Sequence, residues 1–227
     1  MLREIELKMQ AVKNMFAVNT YEEIERRQRE NEDKQIIVLL FVRPTAPGAK
    51  EIIDEFDYIH HNSERYCSVY AVGYSDAFSK VGDKGYKSVS SVAGREWFFS
   101  NAEFVKFKNN LEDRIHWRYS GEVEMIVLQS NPGSRQILNF QNYVAIDINQ
   151  EIREGYIDSF QRLMEALIRS SKSEVTTKAA IDKTKRSRYS IKGIIAETIE
   201  SCKKIPTPVK TIMKDKLFYG SSSTQWH

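Results

Sequence analysis

Few residues of this 227-residue chain combine a reactive side chain with a spacing that chemistry could use. Cys67 and Cys202 stand far apart and make neither a Cys-x-x-Cys pair nor a zinc spacing. Cys67 lies in an apolar run, where desolvation disfavours the thiolate that would attack or ligate. His60 and His61 are adjacent and His116 sits beside Trp117, so no i, i+4 histidine pair or Cys/His framework can be assembled. Asp54, Glu55 and Asp57 read as the solvated face of a helix. No Gly-x-Ser-x-Gly elbow, His-Glu-x-x-His pair or Gly-x-Gly-x-x-Gly loop is present. The residues therefore indicate no catalytic group, metal or cofactor.

Two segments remain as candidate contacts. Pro44, Thr45, Ala46, Pro47, Gly48, Ala49 and Lys50 make a tight turn before a helix, where free amides and the helix dipole favour a phosphate or carboxylate. Farther on, Lys178, Lys183, Lys185, Arg186 and Arg188 oppose the single acid Asp182, and Tyr189 adds a stacking face; this cluster suits an anionic partner such as nucleic acid. The formal charge of the whole chain is only +3, so no basic stripe extends that cluster.

The elements that must position these residues follow from periodicity. Leu2, Ile5, Met9, Val12 and Phe16 recur at helical spacing and predict an amphipathic helix over 1–18. Thr20 and Glu23 form a capping box for a polar helix over 21–30 that docks through Tyr21 and Ile24. Residues 35–42 are a continuous apolar run, the pattern of a strand covered on both faces. Ala49, Ile52, Ile53, Phe56 and Ile59 predict a helix, and 66–73 a second buried strand, which together make a β-α-β unit. Residues 75–94, rich in glycine and serine, read as a long connection without regular structure.

Ser100 and Glu103 cap a helix carrying Phe104, Phe107, Leu111 and Ile115. Residues 122–129 and 137–148 flank Ser-Asn-Pro-Gly-Ser as a hairpin, with Leu138, Phe140, Val144, Ile146 and Ile148 on one face. A helix bearing Phe160, Leu163, Met164, Leu167 and Ile168 follows. Residues 170–188 turn polar and basic, and Ile191, Ile194, Ile195, Ile199 and Cys202 predict a last amphipathic helix before Pro206.

This order resembles that of the thioredoxin-like superfamily, and Phe41-Val-Arg-Pro-Thr-Ala-Pro-Gly-Ala-Lys50 resembles the segment in which a strand runs into Trp-Cys-Gly-Pro-Cys-Lys. On that likeness Ala46 and Ala49 occupy the cysteine positions, with Pro47 and Gly48 between them and Lys50 after. The resemblance covers 35–171 and implies an α/β, three-layer fold with a mixed central sheet. Outside it, the apolar spacing and charge predict a helical segment over 1–34 and, over 172–227, a basic linker with a helical extension. The family's proline before the third strand has no counterpart in His116–Val123.

Disulfide exchange needs an attacking thiolate and a resolving thiol, and the turn has neither. The expectation is a redox-inactive binding or assembly module that contacts a protein partner or a second copy of itself. An enzyme or sensor taking an anion at 44–50 and a nucleic-acid contact at 178–188 are the alternatives. No apolar run approaches the roughly 20 residues of a membrane span, and 1–35 is too charged for a signal peptide, so the expected location is cytoplasmic. The nucleic-acid reading predicts a log–log salt slope of roughly 0.9 per neutralised phosphate. Replacing Lys183, Lys185, Arg186 and Arg188 with alanine should flatten that slope in a fluorescence-anisotropy titration, and an unchanged slope removes the reading.

Overall fold

The computed structural model describes residues 15–31, 35–63, 67–76 and 85–181, together with Thr198. The dry run becomes β2 (Ile36–Phe41), and every one of its residues is buried. It pairs in parallel with β3 (Cys67–Val72), as Ile36↔Cys67 through Leu40↔Ala71, and antiparallel with β7 (Glu124–Ser130), as Ile36↔Gln129 through Phe41↔Glu124. With β1 (Met15–Val18) and β8 (Leu138–Asp147) this makes a mixed five-stranded sheet in the order β1-β3-β2-β7-β8.

A strand buried on both sides requires cover on both sides. On one face Phe41 meets Phe104 and Phe107 of α4 (Asn101–Glu112), and Tyr70 accepts a hydrogen bond from Gln28 of α1 (Tyr21–Arg29). These two helices touch each other, the Tyr21 and Phe107 rings lying 4.3 Å apart. The other face is left to α2 (Ala49–Asp54), α3 (Phe56–Asn62) and α6 (Phe160–Ile181), where Tyr58 donates to Glu165 at 2.6 Å. Both expected capping residues act as such: Thr20 Oγ1 accepts from the Glu23 amide and Ser100 Oγ from the Glu103 amide.

Several local expectations are corrected. Met15–Val18 is not the end of a helix but an edge strand beside β3; residues 1–14 lie outside the described set. The helix expected after Gly48 is two helices with a break at Glu55. Residues 75–94 include β5 (Lys87–Val92), which forms a hairpin with β6 (Arg95–Phe99) and, with β4 (Tyr74–Ser75), makes a second sheet ordered β4-β6-β5. Its two-residue turn puts both Ala93 (φ 51°) and Gly94 (φ 73°) in the left-handed region, as such hairpins require. Asp57 of α3 holds the Ala93 amide at 2.8 Å. Trp97, Phe98 and Phe99 of β6 are buried: Trp97 lies against Phe56 and Tyr74, and Phe99 against Tyr74 and Phe104.

The hairpin of β7 and β8 exists, but β8 does not keep one face throughout. Pairing jumps from Leu128↔Tyr143 to Ser130↔Leu138, so residues 139–142 bulge, and Phe140 turns to meet Tyr21 edge-on. Ile148 is not part of the strand; it opens α5 (Ile148–Arg153), capped by Asp147. The last long helix continues to Ile181 and so carries Lys178, from the polar and basic stretch, within its span. Among the described residues no helix is long and apolar enough to cross a membrane.

Gly73 joins three elements. Its amide donates to Val18 at the end of β1, its carbonyl accepts from the Ser100 amide before α4, and its φ is +83°. A Cβ there would stand 2.6 Å from Phe104 Cβ and 3.0 Å from the Phe104 backbone. Gly73→Ala should combine left-handed strain with overpacking and lower stability by about 3 kcal/mol, read as a reduced urea midpoint at unchanged slope. A loss under about 0.5 kcal/mol, the range of ordinary surface changes, would mean that this junction is not tight.

Candidate functional site

The turn after β2 sits at the edge of the sheet where a parallel neighbour, β3, lies on one side of β2 and an antiparallel one, β7, on the other. Tyr74 donates to the Val42 carbonyl at 2.9 Å and closes the strand's end. The Ala46 amide then bonds to the Arg43 carbonyl, and the Ala49 amide to the Ala46 carbonyl at 3.2 Å. Thr45, Pro47, Gly48 and Lys50 are exposed, Pro44 and Ala46 are half-buried, and Ala49 is fully buried.

Three groups from distant parts of the chain fasten this turn. Asn149 of α5 donates through Nδ2 to the Pro47 carbonyl at 2.8 Å and to Glu122 Oε2 at 2.7 Å. Gly48 makes that approach feasible: its φ is +69°, and a Cβ would lie 2.9 Å from Asn149 Oδ1. Arg43 donates from Nη2 to Asn101 Oδ1 at the start of α4 and lies over the Phe104 ring.

Facing the turn across Asn149 is the segment between α4 and β7, organised by Glu124. This carboxylate is 4% exposed and accepts from Trp117 Nε1 at 2.7 Å, from the Ser120 amide at 2.6 Å and from the Ser120 hydroxyl at 2.5 Å. All three donors are neutral. Burial pushes the Glu124 carboxyl above the usual range, the Ser120 and Trp117 bonds act against it, and Asp147 opposite it on β8 adds to the rise. Glu112 gives the contrast. Burial raises it too, but Lys108 at 2.8 Å and the Tyr119 amide outweigh burial, so its carboxyl stays below the ordinary value.

The same bonds decide what the segment can offer. The amides of Trp117, Tyr119, Ser120 and Glu122 are engaged by Ile115, Glu112, Glu124 and Ser120 respectively, so none of these four is left to pair with an extended peptide. Tyr119, packed on Phe104, has a buried hydroxyl without a partner, and burial raises its phenol to about 12.

Among the described residues no thiol or imidazole is placed at this turn. Cys67 begins β3, level with Ile36, so the length of β2, about 17 Å, separates it from the turn. Burial pushes its thiol up to about 12. His60 turns to the Met15 carbonyl and His61 to the Asp57 carbonyl, and among the described residues no group of three His, Cys, Asp or Glu side chains could hold a metal. Lys50 pairs with Asp54 on the exposed surface of α2.

Of the residues singled out from sequence, the structure brings 44–50 together. Lys183, Lys185, Arg186, Arg188 and Tyr189 lie outside the described residues. Glu122, Glu124, Tyr119 and Asn149 were not anticipated. One sequence signal for the last was available: Asp147-Ile-Asn-Gln150 has the spacing of a capping box and marks the start of α5. Nothing local marks Glu124, whose partners depend on the loop that folds over it.

Because the folded state raises Glu124, it binds a proton more tightly than the unfolded chain does. Stability from this group is present below the ordinary glutamate range and is lost as pH rises to the raised folded value, at about 1.4 kcal/mol per unit of displacement. Urea titrations from pH 4 upward should show this decline, and Glu124→Gln should remove it; a decline that persists in the variant would assign it elsewhere. Comparison with known proteins adds no identity: no protein-family model, no curated protein and no solved structure matches this chain.

Proposed function

We propose that this chain is a thioredoxin-like binding or assembly module that performs no disulfide exchange, and that its contact face is the turn 43–50 with the adjoining segment 118–122. The reading rests on one observation: Ala46 and Ala49 occupy a sharp turn that leaves the central strand, one half-buried and the other buried, and Cys67, the one described thiol, lies at the far end of β3. The sheet order β1-β3-β2-β7-β8, with β7 and β8 antiparallel to their neighbours and helices on both faces, supports it. So does the exposure of Thr45, Pro47, Gly48, Ser120 and Gly121 around the clamp made by Asn149. Thr45, Pro47, Gly48, Ser120 and Gly121, flanked by the charged Lys50 and Arg118, lie on a fastened loop of low ordering entropy, suited to a protein partner or a second copy.

The anion alternative fares less well on the same geometry. The Pro47 carbonyl and the Glu122 carboxylate crowd the turn with acceptors, Lys50 is paired with Asp54, and Arg43 is turned to Asn101.

Two measurements test the proposal. Ala46→Cys/Ala49→Cys should form a reversible intramolecular disulfide, seen as a loss of two thiols, while the parent chain shows none at this turn. Failure to close would mean that the bend does not have the geometry of a redox turn. A photo-crosslinking residue at Thr45 should give a discrete adduct several-fold more abundant than the same residue at Gln141 on the β8 bulge, with light scattering distinguishing self-association from a different partner. Equal yields at both positions would dismiss 43–50 as the contact face.

A further inference from the structure

The long helix α6 is covered on more than one side. At 3.6 residues per turn, Leu163, Met164, Leu167 and Ser171 form its stripe toward the sheet, and all are buried. Glu165, bonded to Tyr58, marks the flank that faces α3. Ala166 and Ser170, one turn apart, fall on the opposite flank. Ala166 is only 7% exposed.

The chain itself supplies a contact there. Thr198 is 0% exposed and donates from Oγ1 to Ser170 Oγ at 3.4 Å. In sequence, Thr198 follows Ile194 by four residues and Ile195 by three, so it belongs to the apolar stripe Ile191, Ile194, Ile195, Ile199 and Cys202. We infer that the flank of α6 bearing Ala166 and Ser170 is the docking surface for this chain's own segment 191–202, with Thr198 seated on Ser170.

The connection permits it. From Ser170 to the end of α6 at Ile181 is about 16 Å, and residues 182–197 can reach about 50 Å when extended. A tether of that length holds the stripe at a high effective concentration beside its seat, which favours the same chain over a second copy. The inference is independent of the contact proposed at 43–50.

The test uses the full chain with Ser170→Cys, Thr198→Cys and Cys202→Ser; Cys67 is buried. Mild oxidation should give a disulfide within one chain, identified by peptide mass in the monomer fraction, at a yield several-fold above that of Arg169→Cys with the same partners, since Arg169 is exposed. Hydrogen exchange on the unaltered chain should show amides of 191–202 protected well beyond unfolded-chain rates. A disulfide found only between chains, equal yields from positions 169 and 170, or unprotected amides across 191–202 would each overturn the inference.

Discussion

Everything in this molecule depends on a strand that can face water on neither side. Ile36–Phe41 carries six apolar side chains in succession, so whichever way the pleat turns, three of them point each way and both sets need cover. Helices on each face follow from that, as does a sheet in which β2 has partners on both edges. The turn leaving β2 must then emerge at the sheet's rim, and it is there that Ala46, Ala49 and their fastenings are found.

At that rim, polar side chains do the positioning. Glu124 gathers three neutral donors and so folds the segment before β7 back on itself; Asn149 bridges this segment to the turn by holding Pro47 and Glu122 with one amide nitrogen. The arrangement consumes most of the hydrogen-bonding capacity of both loops internally. Thr45, Pro47, Gly48, Ser120 and Gly121 face outward there, beside Lys50, which pairs with Asp54.

The elements legible in the sequence were those with a local cause. Thr20 and Ser100 mark their helices because a hydroxyl satisfies an amide three residues away, and β2 stands out because its apolar run is unbroken. The missed elements have non-local causes. Phe16 fits a helical stripe as well as an edge strand, and only pairing of Met15–Val18 with Val69–Val72 decides between them. The serines of β5 resemble a loop until Phe98, Phe99 and Trp97 supply a partner strand and Asp57 steadies the turn at Ala93. Phe140 leaves the face shared by its neighbours because Tyr21 offers it a ring to pack against.

By itself the sequence determined that the turn carries no redox pair, which helices are capped, and that one strand must be central, because composition and spacing settle each of these within a few residues. Only the tertiary structure decided what surrounds the turn. Asn149 lies 102 positions from Pro47, and Arg43 lies 58 from Asn101. Burial of Glu124, and with it the rise of its carboxyl, exists only once Trp117 and Ser120 have closed over it. Contacts of that kind arise from packing whole elements together, and no local pattern of side chains encodes them.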